Sequence, residues 1–226
     1  MVKIDKDGIT KHVIKQSNDD DAKYSVEDIA FESIRSPKIV SDTNPYGFSY
    51  YKEANWWEAE RTGGYDNLKN ISENVVHIVK IEQPIHKDLL YKRLGPSFTA
   101  GKATEAVKIT IDEAIEKKLK SKVSVDKDNF VRLLPLIDIV PRIPEKYATP
   151  RPMEYIHTQE VAIAMLRIIE ESFGITEEDL ATECARAFGF ERKGPKIKAK
   201  TDAAIKWLMD NKKIRIIDGK AQLIGE

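Results

Sequence analysis

Between Glu191 and Arg215 the chain places nine basic side chains, Arg192, Lys193, Lys196, Lys198, Lys200, Lys206, Lys212, Lys213 and Arg215, against three acids, Glu191, Asp202 and Asp210, a local excess of +6. Ammonium and guanidinium groups at this density suit phosphates, whose charge they neutralise with release of counterions. Gly194-Pro195 within the run predicts a helix start, where free backbone N–H groups and the positive end of the helix dipole add to the attraction for an anion. Residues 102–122 carry a weaker version of the pattern: Lys102, Lys108, Lys117, Lys118, Lys120 and Lys122 exceed Glu105, Asp112, Glu113 and Glu116 by only two. Lysines also solubilise exposed helices, so docking onto another protein is the alternative reading of the basic run.

Other chemistry finds little support. The chain has neither the G-x-x-x-x-G-K-[ST] phosphate loop nor G-x-G-x-x-G, so nucleotide hydrolysis and dinucleotide binding have no motif. His12, His77, His86 and His157 are scattered, and Cys184, the single cysteine, falls on an apolar helical stripe, which makes it a core residue rather than a ligand or nucleophile. Asp19-Asp20-Asp21 reads as a solvated loop, and Glu82 beside Lys80 is the one faint nuclease-like carboxylate, at an expected helix end. No enzymatic activity, metal or cofactor is expected.

The elements that must position the basic run come from an internal repeat. TIDEAIEKKL (110–119) and KTDAAIKWLM (200–209) share Asp-x-Ala-Ile at an offset of 90, and QPIHKDLL (83–90) aligns with FGITEEDL (173–180). In the second copy, Thr158 is expected to cap a helix with Val161, Ala164, Met165, Ile168 and Ile169 on one face. Thr176 and Asp179 form a capping box before Leu180, Cys184, Ala187 and Phe188, and Gly189 ends that helix. The third helix buries Ile197, Thr201, Ala204, Ile205 and Leu208, leaving Ala199 and Ala203 opposite. Ile214 and Ile216 then lead through Asp218-Gly219, the type I′ dipeptide, to Ala221 and Leu223. The first copy repeats the order: Val75, Ile78 and Val79; Leu89, Leu90 and Leu94; Val107, Ile111, Ala114, Ile115 and Leu119; then Val123 and Val125 facing Val131 and Leu133.

Three helices closed by a hairpin is the winged-helix order, a helix-turn-helix variant. The expected architecture is therefore mainly helical α+β: an arm over 1–70 with one short helix at 25–34, a first winged-helix repeat over 71–134, a connector over 135–157 holding five of the ten prolines, and a second repeat over 158–226. Seven of the 18 aromatics, Tyr46, Phe48, Tyr50, Tyr51, Trp56, Trp57 and Tyr65, crowd into the arm and are expected to pack on the repeats, with docking on a partner or neighbouring domain the alternative.

Composition agrees with a folded, water-facing protein. The 37 Lys+Arg equal the 37 Asp+Glu across 226 residues, which excludes bulk-charge coating of nucleic acid or membrane and makes any basic patch local. No apolar run approaches the ~18 residues of a membrane span, and MVKIDKDGIT lacks the apolar centre of a signal peptide. A cytoplasmic location is expected, with no membrane partner and no small-molecule substrate.

The stretches NVVHIVKIEQPIHKDLLYKRL, PMEYIHTQEVA, FGFERKGPKIKAKTDAAI and PYGFSYYKEA resemble a domain of unknown function that ends many large prokaryotic superfamily-one DNA/RNA helicases, over about residues 45–226. The resemblance implies a setting beside a helicase motor and often a nuclease domain; it implies no catalytic residues. The first repeat departs from it in lacking the Lys-Gly-Pro-Lys approach to helix three, and no motor is present, so the chain would be a separate subunit or a piece of a longer protein. The expected function is non-catalytic DNA binding, with RNA an option, through helix three and the wing of the second repeat. An adaptor that docks on a helicase motor is the alternative, and a stand-alone transcription regulator a third, which would need a dimerisation helix that the sequence does not offer.

Overall fold

The computed structural model describes residues 44–54, 68–98, 103–172 and 174–224. The chain divides into units 1–40 and 41–226, and every described residue belongs to the second. The helix expected over 25–34, and Trp56, Trp57 and Tyr65 of the arm, lie outside the described residues.

The fold is mixed helix and strand. In chain order the elements are β1 (Ser49–Tyr50), α1 (Leu68–Glu82), β2 (Ile85–His86), α2 (Lys87–Phe98), α3 (Glu105–Lys118), β3 (Val123–Val125), β4 (Phe130–Leu133), β5 (Arg142–Ile143), a 3₁₀ turn (Met153–Tyr155), α4 (Thr158–Glu170), β6 (Ile175–Thr176), α5 (Glu177–Ala187), α6 (Pro195–Asp210), β7 (Ile214–Ile217) and β8 (Lys220–Leu223). The offset of 90 survives in three dimensions: β2 and β6, the starts of α2 and α5 and of α3 and α6, and β4 and β8 all stand 90 residues apart.

Each copy buries one core. In the second, the expected face of α6, Ile197, Thr201, Ala204, Ile205 and Leu208, is the buried one, and it meets Met165, Ile168, Leu180 and Phe188. In the first, Val75, Ile78, Leu90, Leu94, Val107 and Ile111 close a separate core. Asp218 and Gly219 take φ of 49° and 72°, both positive as a type I′ turn requires, and set Ile214 opposite Leu223 and Ile216 opposite Ala221.

Three features differ from expectation. The helix expected to start with a Thr158 cap is capped one residue earlier, by His157, whose Nδ1 accepts from the Gln159 N–H at 3.1 Å; an imidazole nitrogen serves here as the capping acceptor. Each hairpin gains a third strand, giving the orders β2-β4-β3 and β6-β8-β7. Those added strands are two residues long, too short for a period-2 pattern to register. The proline-rich connector contributes β5, which pairs in parallel with β1 of the arm, Ser49 with Arg142 and Tyr50 with Ile143. The described arm therefore packs on the repeats, with Phe48 in the second core and Ala54 in the first.

A buried ionic joint links the two copies. The Glu160 carboxylate on α4, 0% exposed, accepts from Arg142 Nη2 at 2.9 Å and Arg151 Nη2 at 2.5 Å. Arg142 also donates across the joint to the carbonyls of Glu82 (2.8 Å) and Pro84 (3.2 Å). Glu82, at the end of α1 as expected, is equally buried, accepting from Arg93 Nε at 2.8 Å, Ala54 N–H at 2.9 Å and the Tyr51 hydroxyl. The Tyr51 ring lies 3.9 Å from the Arg151 guanidinium carbon. Each of these charges is paired and hydrogen-bonded, as burial demands. Glu82 is thus a carboxylate of the joint, facing away from solvent.

Candidate nucleic-acid interface

Helix α6 begins at Gly194, which offers no side-chain cap, and Pro195 occupies the first helical position. Its buried face points into the second core, and Ala199, Ala203 and Met209 face solvent. The lysines around that outer face are committed to acids. Lys198 lies 2.7 Å from Asp202 and Lys206 2.9 Å from Asp210, both one turn apart on α6. Lys196 lies 2.7 Å from Glu154 of the 3₁₀ turn, and that hydrogen bond raises the Lys196 ammonium and lowers the Glu154 carboxyl. Lys193 sits 3.6 Å from Glu178. The outer ridge of α6 is thereby close to neutral, because Asp202 and Asp210 stand one helical turn from Lys198 and Lys206 and Glu154 meets Lys196 from the 3₁₀ turn.

Lys200 is placed differently from expectation. Rather than lying open beside the basic run, its Nζ lies 5.7 Å from the centroid of the Phe130 ring in the β3–β4 hairpin of the first copy. Burial lowers its ammonium, against the pull of Asp128, Glu154 and Asp126. Position 200 falls on the flank of α6 turned to the first repeat, a flank that helical counting within one copy cannot see. His157 and His86 line the same seam: His157 Nε2 lies 3.0 Å from Asp126 Oδ2, and the His86 ring stacks 5.0 Å from Tyr155.

Four of the nine sequence candidates are exposed with no carboxylate partner among the described residues: Arg192 ahead of α6, and Lys212, Lys213 and Arg215 beyond its far end. Lys212 and Lys213 follow the C-terminus of α6, where the helix dipole favours cations. Arg215 stands on the outer face of the β7–β8 hairpin opposite Gln222, and the same register puts Lys220 on that face, opposite Ile217. Lys220 lies beyond the Glu191–Arg215 run, and strand alternation past Asp218-Gly219 is the sequence signal that places it on this face.

An open groove of about 510 Å³ between α5 and α6 is lined by Lys193 and Lys198 together with Glu177, Glu178 and Asp202, a mixed lining unsuited to a polyanion. On the first copy, α3 exposes Ile109 at 54%, and its lysines pair locally, Lys108 with Glu105 at 3.2 Å and Lys117 with Glu113 at 3.3 Å. Lys102 of that repeat lies outside the described residues, as do His12 and Asp19-Asp20-Asp21. Cys184 is fully buried, its thiol pushed up by burial. Among the described residues no three His, Cys, Asp or Glu side chains group as metal ligands, and no helix is long and apolar enough to cross a membrane. The chain matches no family model, and no curated protein or solved structure is significantly similar to it.

Proposed function

We propose that the two copies are winged-helix repeats and that the second holds nucleic acid, DNA foremost, through its phosphates, with the wing as the principal contact. The observation that carries this reading is the cluster of exposed, unpaired cations Lys212, Lys213, Arg215 and Lys220 at the wing. The order helix, strand, helix, helix, hairpin in each copy supports the winged-helix assignment. With Lys196, Lys198 and Lys206 paired and Lys200 in the seam, α6 offers few free donors to base edges. Binding is therefore of the phosphate-positioning, sequence-independent kind. The protein has no catalytic role in this reading; it serves a helicase or nuclease, the setting that the resemblance of its sequence implies, and does so in the cytoplasm, as its composition suggests.

Fluorescence anisotropy on a labelled duplex tests it. Four phosphate contacts give a log–log salt slope of about −3.6, so affinity drops roughly a hundredfold between about 50 and 200 mM salt. Changing Lys212, Lys213 and Arg215 together to Glu should abolish binding, and changing Lys117, Lys118 and Lys120 of the first repeat should alter it little. Equal losses from both triple variants would refute the assignment to the second wing.

A second reading, the protein-docking adaptor, is favoured by one observation: Leu134, at the end of the first repeat, and Leu136, Ile137 and Val140 of the connector are each 41–59% exposed within seven residues. Absence of duplex binding even at low salt would transfer the function to this reading.

A further inference from the structure

Tyr147, in the connector, combines two unfavourable features. Its side chain is 93% exposed, and its φ is +68°. An L residue with a large side chain is strained in the left-handed region, and an exposed aromatic ring forgoes the gain from burial. At 93% exposure little packing offsets either cost, and strain of this kind marks residues held for a task.

The loop that carries the ring is firmly seated. The Ala148 N–H donates to the Glu145 carbonyl at 2.9 Å, closing the turn. Pro144 and Pro150, on either side, pack onto Gly189. A Cβ at Gly189 would come within 2.9 Å of Pro144 and 3.2 Å of Pro150, and its φ of +86° is itself one that glycine tolerates. Gly189 lies just past the C-terminus of α5, so the Tyr147 loop is clamped to the α5–α6 connection that carries Arg192 and Lys193. Beside the ring, Lys146 Nζ lies 5.2 Å from its centroid.

We propose that Tyr147 is a stacking platform for an unpaired base of a nucleic-acid strand, with Arg192 meeting a neighbouring phosphate, so that the second repeat takes single-stranded or frayed segments as well as duplex. This rests on the nucleic-acid reading above. Every base presents a π-face, so such a platform needs no sequence preference, in keeping with a module that reads few base edges.

The test uses the full chain with Tyr147→Gly and Tyr147→Phe, labelled oligothymidylate and a blunt duplex, and melting curves for each variant. Glycine suits the backbone at this position, so the Gly variant should melt no lower than the wild type, which removes misfolding as a cause of lost binding. Its affinity for oligothymidylate should fall by roughly 5- to 100-fold, the span of stacking one base on an aromatic ring. Its affinity for the blunt duplex should hold, and the Phe variant should match the wild type on both. Unchanged oligothymidylate binding by the Gly variant, or an equal loss on the duplex, overturns the platform. If the wing reversal abolishes duplex binding while Tyr147→Gly changes nothing, the proposed function stands and this inference falls. If the wild type binds neither probe at low salt, both fall.

Discussion

Glu160 carries a full negative charge with no exposure to water, between Arg142 and Arg151. Burial alone would push its carboxyl up; the two guanidiniums prevail and hold it below the ordinary carboxylate range. Removing the charge leaves two arginines buried against each other, and breaking a buried pair of this kind costs roughly 3–5 kcal/mol. Urea denaturation of Glu160→Gln is expected to show a loss of that size, and a change below about 1 kcal/mol would mean that the joint is not what holds the copies together. Lys200 has a matching lesson. As a member of a basic run it looks interchangeable with Lys198, yet it lies over Phe130 within the field of Asp126, Asp128 and Glu154. A carboxylate there would face three others, so reversal at 200 is a stability experiment rather than a binding one.

Among the elements, α5 shows how local chemistry sets a boundary. Thr176 Oγ1 accepts from the Asp179 N–H at 3.1 Å and donates to the Asp179 carboxylate at 2.8 Å, and Glu177, Glu178 and Asp179 complement the dipole in the first turn. Thr176→Ala should lower stability by about 1 kcal/mol. The expected readout is a matched fall in urea midpoint with unchanged slope, since the cap alone is lost; no shift would mean that β6, which ends at the same residue, anchors the start of the helix by its pairing with β8. The α5 cap and the Asp218-Gly219 turn were legible because their signals lie within a few residues. His157 was not: an imidazole is an unusual capping acceptor, and its role depends on Asp126, 31 residues earlier, holding Nε2.

At the scale of the molecule, the seam between the copies contains two histidines whose pKa burial lowers. Burial lowers His157, opposed by Asp126 and Glu160 and aided by Arg132. Burial also lowers His86, opposed by Asp88, Asp126 and Glu154 and aided by Lys200. A histidine whose folded pKa lies below its unfolded value of about 6.5 contributes stability that is complete above that pH. The contribution is lost as pH falls toward the lower folded value, because only the unfolded chain takes up the proton. The melting temperature should therefore decline between about pH 7 and pH 5. His157→Asn, which keeps a capping side chain while removing the titration, should decline less steeply; identical slopes would place the pH response elsewhere. The sequence by itself determined the repeat, the order of its helices and hairpins, the buried face of α6 and the location of the basic run, because periodicity, caps and turn dipeptides act over a few residues along the chain. Only the tertiary structure decided which of those bases remain free. Ion pairs such as Lys196 with Glu154, the placement of Lys200 over Phe130 of the β3–β4 hairpin and the union of Glu82, Arg142 and Glu160 join residues 18 to 70 positions apart, and the energy of a charge depends on what three-dimensional packing brings next to it rather than on its neighbours in the chain.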